Sequence, residues 1–199
     1  MKLKFLFLLL IIFKTNTHSS DIEYLVKYER PEDTVRAFEE TTINLLKMSN
    51  TESKEQRFIY TLNQMKSLFD FKTIVKIILS GHLEGENKEL EVEFTKQLRN
   101  LTARTMVLNY VNYSKQKYKT VKSKKNEKRA FIFTEFYISD NKTIPFKFVL
   151  KNNQGNWQII NIITSGVSEL SVKKIEYQSF LETKTLYDLI QEIKLQNQI

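Results

Sequence analysis

Apolar residues recur at threes and fours through the first half of the chain and at alternate positions through much of the second. Arg30-Pro31-Glu32-Asp33 has the character of a helix start: proline suits the first turn, and acids complement the dipole. Val35, Phe38, Thr42, Leu45 and Leu46 then follow at helical spacing. A second helix is predicted from about Glu52, with Phe58, Leu62, Met65 and Phe69 as its stripe. A short apolar segment, Phe71 to Leu79, ends at Ser80-Gly81, where glycine suits a C-cap. From about Lys88 a longer helix carries Leu90, Phe94, Leu98, Leu101, Leu108 and Val111.

The pattern changes near Lys115. Tyr118 to Lys124, Arg129 to Ile138, Ile144 to Asn152 and Trp157 to Thr164 alternate and are rich in aromatic and β-branched residues, which predicts four strands. Lys124-Lys125-Asn126-Glu127, Asp140-Asn141 and Asn153-Gln154-Gly155 are the turns, and turns this short imply an antiparallel meander. Ser168 to Glu182 and Thr183 to Gln196 read as closing helices, the second with Leu186, Leu189, Ile190 and Ile193 on one face. The order predicts an α+β fold: a curved antiparallel sheet of four or slightly more strands, covered by helices on one face. No internal repeat or low-complexity linker interrupts it.

Composition narrows the chemistry. The 199 residues are 41% hydrophobic and 27% charged, a globular balance in a length that suits one domain, two at most. With no cysteine there is no disulfide, thiolate metal site or cysteine nucleophile. Gly81, Gly85, Gly155 and Gly166 form neither a dinucleotide-binding turn nor a phosphate-cradling loop. Lys2 and Lys4, the apolar run Phe5 to Phe13, and the small residues Thr17 and Ser19 before Ser20 have the layout of a secretory signal peptide. Nine apolar residues span only about 14 Å as a helix, roughly half a bilayer core. Residues 1–19 are therefore expected to be a cleaved signal peptide and 20–199 a single exported domain. Cleavage removes Lys2, Lys4 and Lys14 and lowers the formal charge from +8 to +5. That is too mild to argue for nucleic acid.

Candidate catalysts are few. His82 is the only histidine left after cleavage, in a polar loop with no partner at reachable spacing. Glu91 with Glu93, Asp21 with Glu23, and Asp33, Glu39 and Glu40 read as solvated faces of amphipathic segments. No serine lies in a nucleophile elbow. The basic run Lys115, Lys117, Lys119, Lys122, Lys124, Lys125, Lys128 and Arg129 is opposed only by Glu127, with Tyr113 and Tyr118 interleaved. On the first strand of a meander, lysines protect an exposed sheet edge. The functional reading gives Lys122, Lys124 and Lys125 to docking on an anionic membrane or an acidic partner.

The aromatic load of the sheet is the strongest feature. A two-residue turn at Asp140-Asn141 pairs Tyr137 with Ile144 and places Phe131, Phe133 and Tyr137 on one face with Ile144, Phe146, Phe148 and Leu150. A turn near Asn153-Gln154 adds Trp157, Ile159 and Ile163. This pairing also turns Glu135 inward. A three-residue turn puts Ile132, Phe136 and Ile138 inside instead, because one slip flips every side chain. The inner row is either ordinary core or the wall of a cavity for an apolar ligand.

At Gly155-Asn156-Trp157-Gln158, Ile159 to Thr164 and Gly166-Val167-Ser168, followed by Tyr177 and Phe180, the sequence resembles the MlaC family, the periplasmic phospholipid-carrier or toluene-tolerance proteins. Phe38, Arg57-Phe58, Phe69-Asp70-Phe71, Leu79-Ser80-Gly81, Phe94 and Tyr110 fall in a compatible order upstream. The chain departs from the family pattern at Asn161, where an acid is usual, and at His82-Leu83-Glu84, which lacks the usual aromatic and arginine. The resemblance implies a nuclear-transport-factor-like fold with a deep pocket for the acyl chains of a phospholipid and the headgroup outside. It implies shuttling in the periplasm between an outer-membrane lipoprotein complex and an inner-membrane ABC transporter with its MCE-domain subunit. The protein is expected to be a monomer without cofactor or metal. The pocket lining expected on this basis is Phe38, Phe58, Phe69, Ile74, Leu98 and Leu108 from the helices, with Phe131, Phe133, Tyr137, Phe146, Phe148, Trp157, Ile159 and Ile163 from the sheet. The rival readings are a non-catalytic interaction module without lipid, and a small hydrolase or isomerase using Glu135 or Asp70 as a base.

Overall fold

Helix α1 (Pro31–Lys47) starts where proline and the acids Glu32 and Asp33 fill its first turn, and it buries Val35, Phe38, Leu45 and Leu46. The computed structural model describes residues 26–82 and 88–198. A capping box between Ser53 and Gln56 opens α2 (Lys54–Leu68). Asp70 caps α3 (Phe71–Ile78), accepting from the Thr73 amide at 2.9 Å, and Gly81 follows at φ +87°. The longest helix is α4 (Lys88–Asn109).

Four long strands follow: β1 (Lys117–Lys125), β2 (Arg129–Ser139), β3 (Lys142–Asn153) and β4 (Asn156–Thr164). A two-residue β5 (Val167–Ser168) leads into α5 (Glu169–Leu181), and α6 (Leu186–Gln196) ends the fold. The sheet is antiparallel and runs β1-β2-β3-β4-β5 in space. With six α-helices and five strands among the described residues, the α+β expectation holds, and β5 is the addition to it. The signal peptide expected over 1–19 lies outside the described residues. Among those, no helix is long and apolar enough to cross a membrane.

The facing of β2 corrects the sequence reading. The turn at Asp140-Asn141 does hold two residues, since Ser139 pairs with Lys142. Ile138, however, is bulged out of the ladder, so Tyr137 pairs with Thr143 and Phe136 with Ile144. That single extra residue reverses the row. Ala130, Ile132, Thr134 and Phe136 are buried, whereas Phe131, Phe133, Glu135 and Tyr137 face outward. Glu135 is thereby spared burial and accepts from the Tyr137 hydroxyl at 2.5 Å. A second bulge, at Ile160, leaves Ile163 paired with Lys147 on the outer face.

Helix and sheet are tied where they meet. The Thr34 hydroxyl donates to the Trp157 carbonyl at 2.8 Å, and the Asp70 amide to the Ile159 carbonyl at 3.0 Å. Arg57, 4% exposed, donates to the carbonyls of Val107 at 2.9 Å and Tyr110 at 2.6 Å. It thus caps the C-terminal end of α4, whose last carbonyls have no partner within the helix.

Candidate functional site: an apolar cavity between sheet and helices

A cavity of about 580 Å³ lies between the inner face of the sheet and the helices. Its floor comes from Phe136 and Ile138 on β2, Ile144 and Phe146 on β3, and Ile160 and Ile162 on β4. Its walls are Phe38 and Leu46 of α1, Phe69, then Phe71, Ile74 and Ile78 of α3, and Leu98, Leu101 and Met106 of α4. The aromatic rings form a connected band. Tyr118 stacks on Phe136 at 4.5 Å, Phe136 meets Phe146 edge-on at 6.3 Å, Phe146 stacks on Phe148 at 6.0 Å, and Phe148 meets Phe38 edge-on at 5.1 Å. The band borders the cavity at Phe136, Phe146 and Phe38 and runs into packed core at Phe148.

The lining changes character at one end. Thr105, Asn109, Val111 and Glu169 line the cavity and are exposed, which sets the mouth between the end of α4 and the start of α5. Gln116, Asn161, Thr164 and Lys173 add polar groups nearby. Asn161 accepts from the Leu170 amide at 3.3 Å and donates to the Ser168 hydroxyl at 2.9 Å, so it fixes the turn into α5. An acid at that position is therefore not needed for the geometry. Lys173 pairs with Glu176 at 2.8 Å, and its ammonium lies 5.1 Å from the Tyr177 ring centre.

Of the lining expected from sequence, Phe38, Phe69, Ile74, Leu98 and Phe146 border the cavity. The others do not. Phe131, Phe133, Tyr137 and Ile163 lie on the outer face because of the two bulges. Trp157, Ile159 and Phe148 are buried in close-packed core beside the cavity. Phe58 is half-buried, with the Arg104 guanidinium 4.4 Å from its ring centre. Leu108 is 57% exposed. Sequence reasoning missed the polar lining, Thr102, Thr105, Asn109 and Gln116, because it sought apolar stripes alone.

Glu169 and Lys173 are the charged groups of the lining, whereas Asp70, Tyr118 and Glu39 lie outside it. Burial would raise the carboxyl of Asp70, but hydrogen bonds from Thr73, Asn153 and Lys151 outweigh it and hold it below the usual range. Lys151 lies 3.2 Å away. Burial pushes the phenols of Tyr110 and Tyr118 up, so both stay neutral. Glu39 lies in a separate cleft of about 450 Å³ between α1 and β1, where burial drives its carboxyl to about 7 against the pull of Arg36. Among the described residues no group of three or more His, Asp or Glu could hold a metal.

Lys122 and Lys124 lie on the edge strand and face outward with Lys117 and Lys119. Lys125 does not join them. It stands in the inward register opposite Ala130, near Glu32 of α1.

A phospholipid-binding protein from Ralstonia solanacearum, solved in complex with a phospholipid, is similar in structure with a TM-score of 0.71. The match covers 84% of this chain and 96% of that one at 13% identity, and it shows a shared fold. No curated relative matches the sequence. The family model described as MlaC protein matches residues 36–195, four-fifths of the chain, and the chain therefore belongs to the MlaC family.

Proposed function

We propose that this protein is a phospholipid carrier of the periplasm, holding acyl chains in the cavity with the headgroup at the polar mouth. The observation that carries this reading is the cavity itself: about 580 Å³, walled by aromatic and aliphatic side chains and ending at Thr105, Asn109, Gln116, Glu169 and Lys173. Preformed apolar pockets with a few convergent polar groups are ligand sites, and typical volumes run about 300–1,000 Å³. The phospholipid bound to the Ralstonia protein of the same fold supports the choice of ligand.

Energetics explain why such a protein needs a cavity and no catalytic set. Each buried methylene is worth about 0.8 kcal/mol, so two chains of some 28 methylenes together cost about 20 kcal/mol to expose to water. A carrier that matches the bilayer's apolar interior makes transfer nearly isoenergetic and leaves direction to its partners. In this reading those partners are an outer-membrane lipoprotein complex and the MCE-domain subunit of an inner-membrane ABC transporter. Residues 1–19 act as the export signal.

A catalytic reading fits less well. Glu135 is bonded to Tyr137 on the outer face, and Asp70 is paired with Lys151, so neither carboxyl stands free in the cavity as a base. Organic extraction of protein purified from the periplasm of a membrane-containing host tests the proposal. Stoichiometric phospholipid is expected; extracts without it count against the carrier.

A further inference from the structure

The outer face of the sheet carries a pattern that the cavity does not explain. Phe131, Phe133 and Tyr137 form a half-buried aromatic row along β2. Lysines flank it on both sides. The ladder sets Lys117 opposite Tyr137, Lys122 opposite Phe133 and Lys124 opposite Phe131 on β1. From β3, the Lys147 ammonium stands 5.1 Å from the Phe131 ring centre and 5.6 Å from that of Phe133. Glu135 is the sole acid in strands β1 to β4, against basic residues in three of them.

We propose that this face is a docking surface for the anionic headgroups of a membrane leaflet. Charge complementarity is the first argument: one face has basic side chains in adjacent strands, with Glu135 opposite Lys119 and Asp70 beside Lys151 as the acids that meet them. The kind of cation is the second. The flanking side chains are lysines, mobile point charges suited to a diffuse anionic surface, rather than the planar forks of arginine that select a particular carboxylate pair on a protein. Aromatic rings between lysine stems are the third, because both side-chain types place an apolar body beside a polar tip at a lipid–water boundary. Tyr137 and Lys117 stand at the same end of the sheet as Ile138 and Ile144, which line the cavity. A leaflet meeting this face would therefore adjoin that end of the cavity. The inference stands on the outer face alone and does not depend on what the cavity holds.

The test is flotation with vesicles of phosphatidylcholine alone or mixed with phosphatidylglycerol. Wild-type protein is expected to float with the anionic vesicles only, and less as salt rises. Each lysine near such a surface is worth about a fivefold change in partitioning. Lys122→Gln, Lys124→Gln and Lys147→Gln together should therefore weaken it by about a hundredfold. Lys54→Gln, Lys72→Gln and Lys76→Gln on the helices change net charge equally and should have little effect. Equal losses from both triples would mean that net charge alone drives binding, and would overturn the proposal. So would equal flotation with neutral and anionic vesicles. Unchanged flotation of the first triple, with lost binding to a membrane-protein partner instead, would reassign the face to protein and overturn it too.

Discussion

Replacing Ile162 by tryptophan separates a cavity from a core within one strand. Ile162 lines the cavity, whereas Ile159, three residues earlier on β4, has no exposed surface and lies in packed core. Enlarging a side chain in close-packed core costs typically about 1–3 kcal/mol. For a chain of this length that lowers Tm by about 2 to 12 °C. Ile159→Trp is expected to fall in that range. The indole at 162 can instead extend into a space of about 580 Å³, so its cost should stay under about 1 kcal/mol. It does, however, take room from ligand. Displacing about three methylenes costs about 2.4 kcal/mol, or about a sixtyfold loss of affinity. Both variants should be compared after delipidation, because bound ligand itself stabilises the folded state. Thermal unfolding and lipid analysis of each protein give the two readouts. Equal losses of Tm in the two variants, or full lipid occupancy in Ile162→Trp, would refute the assignment of this part of β4 to a cavity wall.

Arg57→Ala should lower stability by about 3 kcal/mol in urea denaturation, because two charge-assisted bonds from a buried guanidinium to the end of α4 are lost together. Asp70→Asn should cost about 2 kcal/mol at pH 7 through the weakened α3 cap and the Lys151 contact. The native carboxyl is held below its usual 3.8, so its contribution is full above that value and lost as pH falls through the folded value. The gap between wild type and variant should accordingly close in acid. Glu39 behaves in the opposite sense. Its folded value of about 7 lies above the unfolded 4.5, so wild type loses stability as pH rises across that window. Glu39→Gln should match wild type near pH 4.5 and exceed it at pH 8.5, as urea midpoints at the two pH values would show.

How far the sequence led depended on whether one row of residues differed from its neighbour. The helices and strands were legible because their periods were strong, as in Leu90, Phe94, Leu98 and Leu101 of α4. The facing of β2 was not, because both of its rows are apolar with one polar interruption: Phe131, Phe133, Glu135 and Tyr137 against Ile132, Thr134, Phe136 and Ile138. The decisive feature was the bulge at Ile138, which leaves no mark on hydrophobic pattern. Lys147 over the outer rings explains how an aromatic row can face water. On α4, Leu108 is turned about 80° from Leu98 at 3.6 residues per turn, which carries it out of the lining. The positions that do line the cavity there include Thr102, Thr105 and Asn109. A polar residue on a cavity wall looks like a surface residue until the fold encloses it.

The central claim is that the cavity holds the acyl chains of a phospholipid. Native mass spectrometry of the protein purified from a membrane-containing host tests it most directly. The account predicts a folded species carrying added mass equal to a phospholipid, with that species depleted in Ile162→Trp. A spectrum of bare polypeptide alone, or an adduct that persists undiminished when Ile162 is enlarged, would contradict it.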